Sequence, residues 1–198
     1  MKKKSRKLSK KEINFITTIS SPEKVQNFID SLKYNSGDRI AIIDVIKYHK
    51  ADCLEAACFA TLCLKDSFIM DLECNSNDDD HVICVYKKNG LYGAVAQSKY
   101  LGLKQRNPVY KTLRELAMSY FDNYFNYDGE FDLSSRSIPL KIKKEWIFSL
   151  NDTLEIEKKL TNIRHIKLVP KLKLPIASKE KFHRELLILP RNINNRYK

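Results

Sequence analysis

Apolar positions along the chain change their spacing several times, and each change marks an element. In "SSPEKVQNFIDSL", Val25, Phe28, Ile29 and Leu32 fall on one helical face. Ser21 is placed as N-cap and Pro22 at the first helical position, so a helix should begin there. "RIAIIDVIKYH" reads equally as strand or helix. "DCLEAACFATLCL" differs from both: from Leu54 to Leu64 only Glu55 and Thr61 are polar. Such a helix is expected to be surrounded by protein. Asp52 followed by Glu55 predicts a capping box that starts it at Cys53.

The period then shortens. "SFIMDLEC" (67–74) reads as a strand, "NSNDDD" (75–80) as a polar loop, and "HVICVYK" and "LYGAVAQ" as two strands around Asn89-Gly90. That dipeptide predicts a two-residue type I′ hairpin. Lys88 would then pair with Leu91, and His81 would lie opposite Ser98, Ile83 opposite Ala96 and Val85 opposite Ala94. This small apolar face suits packing against the buried helix. "TLRELAMSYFDNYF" predicts a further helix, with Thr112 and Glu115 as capping box and Leu113, Leu116, Ala117, Tyr120, Phe121 and Tyr124 on one face. Core packing explains that aromatic spacing better than a ligand platform does. "SIPLKI" is a candidate strand, and a helix is expected from about Asp152.

The succession predicts an α+β domain at 13–141. A basic N-terminal tail (1–12) would precede it and a basic C-terminal extension (142–198) follow it. The formal charge of +12 belongs to the ends: +6 over residues 1–12 and +9 over 141–198, against −3 between them. Basic ends suit weak contact with nucleic acid or an anionic surface, but no nucleic-acid-binding motif accompanies them. No apolar run reaches the length of a membrane span, and the basic start lacks the apolar segment of a secretory signal. A cytoplasmic protein is expected.

Five cysteines, Cys53, Cys58, Cys63, Cys74 and Cys84, crowd into the middle of the chain. An odd, clustered set argues against a secreted disulfide framework. The steps of five from Cys53 to Cys63 turn successive thiols by roughly 140° on a helix, which argues against zinc. "DDD" (78–80) reads as solvated carboxylates rather than a cation site, and the five glycines form no phosphate-binding loop, so neither metal nor cofactor is expected.

Cys53 is the exception among the thiols. At the first position of a capped helix its sulfur would meet free backbone N–H groups and the positive end of the helix dipole. Such thiols have pKa values lowered to roughly 3.5–7.5. A thiol nucleophile needs a base. His165 and His183 lie in the basic extension and read as solvated, and His49, four residues before Cys53, reads either as lining the site or as ending the preceding segment. His81 opens the hairpin strand, where it can lean over a helix end. Ser98 would orient its ring, or Gln97 if the register slips by one residue.

A cysteine opening a buried helix, then histidine on a strand, then an orienting residue on the next strand, resembles the transglutaminase-like, papain-related superfamily. The stretches "CLEAA", "DLE", "DDDHV", "YGAVAQS" and "PVYKTLRELAMSYFDNYF" are similar to one branch of it over about residues 20–140. The resemblance implies a buried helix with an N-terminal Cys, packed on an antiparallel sheet. It also implies Cys53 as nucleophile, His81 as base and acid, and an amide of a peptide or protein as substrate. The third position departs from that pattern: those enzymes carry Asp or Asn, and this chain offers Ser98 or Gln97. The expected activity is cysteine-dependent acyl transfer (protease, amidase, deamidase or transglutaminase). A catalytically silent binding module and a polyanion-binding protein are the rival readings.

Overall fold

A computed structural model describes residues 7–75, 79–100, 102–126 and 130–169. The basic stretches 1–6 and 170–198, with His183, and Asp78 of the acidic loop lie outside the described residues. The described residues form an α+β fold: six α-helices around a six-stranded antiparallel sheet, with a two-stranded parallel ribbon beside it.

Two N-terminal helices come first. Helix α1 (Lys10–Thr18) starts on a Ser9–Glu12 capping box, and α2 (Pro22–Ser31) on Ser21, whose side chain accepts from Lys24 N. The ambiguous segment resolves into a 3-10 turn (Ile42–Asp44) and a short helix, α3 (Val45–Tyr48). Strands β1 (Lys33–Tyr34) and β2 (Lys50–Ala51) pair in parallel on either side of it. The buried helix, α4 (Cys53–Cys63), begins at Cys53 with both halves of the Asp52–Glu55 capping box formed.

The sheet runs in the order β6 (Arg106–Tyr110), β5 (Leu91–Val95), β4 (His81–Lys88), β3 (Phe68–Cys74), β7 (Leu133–Ser137) and β8 (His165–Lys167). Strands β3, β4 and β5 are those expected. The turn has φ of 53° at Asn89 and 81° at Gly90, as type I′ requires, and Lys88 pairs with Leu91. The ladder stops at Cys84–Val95. Beyond it Gln26 of α2 takes over the backbone, donating to Ala96 O (3.0 Å) and accepting from Ala96 N (3.1 Å).

Alternate residues of β4 face two different cores. Val82, Cys84 and Tyr86 pack with α4, whereas Ile83 and Val85, with Ala94 and Ala96, pack against helix α5 (Leu113–Met118) and Tyr120. The face that carries His81, Ile83 and Val85 therefore does not pack on the buried helix, as the sequence suggested. Both faces of β4 are apolar, so alternation could not say which core each would meet.

Three further differences have local causes. The helix from Thr112 is short, giving way to a 3-10 turn (Phe121–Asn123), and Glu115 accepts from Lys111 N instead of closing the box on Thr112. Strand β6 (Arg106–Tyr110) forms on a segment with proline at 108, which is tolerated because β6 is an edge strand. Strand β7 (Leu133–Ser137) lies mostly before "SIPLKI", of which Ser137 ends the strand and Leu140 forms an isolated bridge to Ile69.

The fold also runs past the boundary expected at 141. Ile147, and Ile156 and Leu160 of helix α6 (Leu150–Asn162), are buried in the α4 core, and β8 (His165–Lys167) pairs with β7. Among the described residues no helix is long and apolar enough to cross a membrane.

Gln26, together with Gln97, which donates to Ile29 O, ties α2 to the segment 96–98. Gln26→Leu should leave two buried backbone groups of Ala96 without partners and lower unfolding stability by about 1–3 kcal/mol in urea titration. An unchanged midpoint and slope would contradict that role.

Candidate active site

The N-terminus of α4 is fixed from below by a buried carboxylate. Glu55 is fully buried and accepts from Asp52 N (2.9 Å), Ile40 N (2.7 Å) and Asn35 Nδ2 (3.0 Å). It thus holds the loop 35–40 against the helix start. Above it, Arg39 bridges Asp52 to Glu157 of α6, donating to Glu157 Oε2 at 2.9 Å. Burial and the Glu55 charge push the Asp52 carboxyl up to about 6, with Arg39 opposing.

Cys53 stands on this platform at the wall of a cavity of about 950 Å³. Its sulfur is 4.0 Å from the Asp80 carbonyl oxygen and is approached by the Val82 N–H, so it meets the β4 backbone on both sides of residue 81. Burial, with the neighbouring Asp52 carboxylate, pushes the thiol up to about 12, against the weaker pull of the Val82 N–H and Arg39. The shift runs opposite to the lowered value expected at a helix start.

His81 lines the same cavity. Its imidazole is buried and lies edge-on to Tyr120, with ring centroids 6.0 Å apart, on the α5 side of β4. Burial and the Arg106 charge bring its pKa down to about 4, opposed by the Leu103 carbonyl. That carbonyl accepts from Nε2 at 2.7 Å. A carbonyl oxygen can only accept, so Nε2 carries the proton and Nδ1 keeps a lone pair.

The Leu103 carbonyl therefore takes the orienting place expected of Ser98 or Gln97. Ser98 Oγ accepts from Tyr100 N (3.0 Å), while Gln97 donates to Ile29 O (3.1 Å) and accepts from Ser98 N (3.1 Å). Because the β4–β5 ladder ends at Cys84–Val95, Ser98 is not delivered as a cross-strand neighbour of His81. The carbonyl is braced instead. Arg106 stacks over Tyr120 at 3.8 Å, donates to Ser119 Oγ (3.0 Å) and reaches Gly102 O, and Tyr120 Oη donates to Lys104 O (2.9 Å). A backbone acceptor has no signature in the sequence.

The cavity also contains an unforeseen residue, Asp71 of β3. It pairs with Val82, so it stands on the α4 face, and it is only 4% exposed. His165 Nε2 lies 3.2 Å from its Oδ2 and its backbone N donates to Ser137 Oγ at 2.9 Å. Burial raises the Asp71 pKa, and the bond to Asp71 raises that of His165. His165 is thus a partner of the core, not the solvated residue expected. The visible signal was an acid inside the apolar run "FIMDL". His49 caps α3 in a left-handed conformation, its ring 3.3 Å from Ser31 Oγ.

Cys58, Cys63 and Cys84 are buried thiols, and among the described residues no cluster of three or more His, Cys, Asp or Glu side chains converges as a metal site. No protein-family model matches the chain, and comparison with curated proteins finds no match.

The thiol's environment fixes a pH dependence. Because a thiol raised to about 12 ionises only far above neutrality, Cys53 alkylation should rise about tenfold per pH unit from 7 to 10. Peptide mapping after timed iodoacetamide labelling measures it, and a plateau reached by pH 7–8 would instead report a resting thiolate.

Proposed function

We propose that the chain is a cysteine-dependent acyl-transfer enzyme of transglutaminase-like fold, acting on an amide of a peptide or protein. The observation that carries the reading is that Cys53, at a capped helix start, and a tautomer-fixed His81 line one cavity. At rest both groups are neutral, so the nucleophile is formed only during reaction. His81 Nδ1 takes the thiol proton as Cys53 Sγ attacks the amide carbon. The backbone N–H of Cys53, at the first helical position, is a donor for the developing oxyanion. The imidazolium then protonates the leaving amine as the C–N bond breaks, which leaves a thioester on Cys53. Water, activated by the neutral imidazole, releases the acid and restores the thiol.

A second reading is a catalytically silent member of the same fold that binds a peptide in this cavity. It is favoured by the pKa values themselves, about 12 for the thiol and about 4 for the imidazole, which place the pair far from an ion pair.

Incubation with a peptide-amide library, read by mass spectrometry, separates the two. The enzyme reading expects products that disappear in Cys53→Ala and fall about 10²–10⁴-fold in His81→Asn. Peptides retained without turnover, equally by both variants, would establish the binding module in its place.

A further inference from the structure

An oxyanion formed beside Cys53 has lone pairs for more than one donor, and the Cys53 N–H supplies only the first. Tyr34 of β1 is placed to supply another. Its position is set by the parallel ribbon, where Tyr34 pairs with Ala51, two residues before Cys53. Lys33 N donates to His49 O and Asn35 N to Ala51 O, both at 3.1 Å. Asn35 is anchored in turn through Nδ2 on Glu55 (3.0 Å), the carboxylate that caps α4. The backbone around Tyr34 is thus held by the groups that set the start of α4, and Tyr34 joins Cys53 on the cavity wall.

The hydroxyl is uncommitted. Other side-chain donors on the wall already have acceptors. Asn35 Nδ2 donates to Glu55, Tyr124 Oη to Leu72 O (2.7 Å) and Thr161 Oγ1 to Glu157 O (3.1 Å). Tyr34 is half-buried, yet its Oη has no hydrogen-bond partner among the described residues. The unpartnered side-chain atoms that are sealed from solvent belong to Asp71 and Arg136, so Tyr34 Oη is open to the cavity. Burial raises the phenol's pKa, and Cys53 is the foremost charge acting on it, ahead of Asp52 and Asp79. A phenol kept protonated beside the nucleophile has an O–H to offer to negative charge that develops there.

We propose that Tyr34 is a catalytic residue whose Oη donates to the substrate oxygen, opposite the N–H of Cys53. As Cys53 Sγ bonds to the acyl carbon, the C=O π pair moves onto oxygen and meets both donors. The pair returns to re-form C=O when the C–N bond breaks, and Tyr34 keeps its proton throughout. This deepens the acyl-transfer reading and rests on it in taking Cys53 as the nucleophile.

The test compares two reactions of the same sulfur. Acylation by p-nitrophenyl acetate passes through an oxyanion, whereas iodoacetamide loses iodide from a saturated carbon and forms none. The full chain and its Tyr34→Phe variant are treated with each reagent, Cys53 labelling is read by peptide mapping, and folding is checked by the urea midpoint. Tyr34→Phe should slow acylation of Cys53 at least about tenfold while leaving its alkylation rate within about twofold. Tyr34→Leu, which also lacks the hydroxyl, should show the same split and serves if the Phe variant does not fold. Equal slowing of both reactions, unchanged acylation, or a wild-type Cys53 that p-nitrophenyl acetate does not acylate would overturn the proposal. The two readings fail separately. Hydroxyl-dependent acylation with no turnover of peptide amides sinks only the enzyme, and turnover that Tyr34→Phe leaves unchanged sinks only the donor.

Discussion

The site depends first on one buried carboxylate. Glu55 lies inside the protein with no water to solvate it, so its oxygens must be met by protein donors or the helix start would not be stable there. Donors come from three places: the backbone of Asp52, the backbone of Ile40 and the amide of Asn35. Hydrogen bonds to a charged group contribute about 1.5–3 kcal/mol each, enough to fix the loop 35–40 against α4. Arg39 is then held where it can reach both Asp52 and Glu157, which carries α6 over the cavity. The chain of causes runs from a cap residue to a packed helix to the wall of the site.

Burial also decides the electrostatics of Cys53. A helix N-terminus favours a thiolate, but its effect falls off within the first turn and is worth about 0.3–1 kcal/mol at exposed sites. Here the half-buried sulfur lies beside the Asp52 carboxylate, and desolvation of the anion is the larger effect. The imidazole obeys the same rule with opposite sign, because burial disfavours its cation. The raised thiol and the lowered imidazole share one cause, since burial penalises the charged form of each.

The second core has its own constraint. His81 points to the α5 side because Ile83 and Val85 do, and the ring can stay there because Leu103 O receives its proton-bearing nitrogen. Arg106 and Tyr120 hold that carbonyl in place through the segment 102–106. A hydroxyl or amide at position 97 or 98 was therefore unnecessary, and both side chains are spent on tying 96–100 to α2 and to the local turn.

What the sequence determined by itself was local. Helix starts at Pro22 and Cys53, the Asn89-Gly90 turn and the pairing of Lys88 with Leu91 follow from caps, glycine's freedom at positive φ and apolar spacing, all interactions within a few residues. The places of Cys53 at a helix start and of His81 at a strand start follow from such signals. Tertiary structure decided everything that needed distant partners. It chose the core each face of β4 meets, extended the sheet through β8, and set Asp71 against His165, 94 residues away. It gave the orienting task to the Leu103 backbone and turned the expected thiolate into a thiol. Desolvation and backbone acceptors are properties of an enclosed volume, and the order of residues along a chain carries no direct record of either.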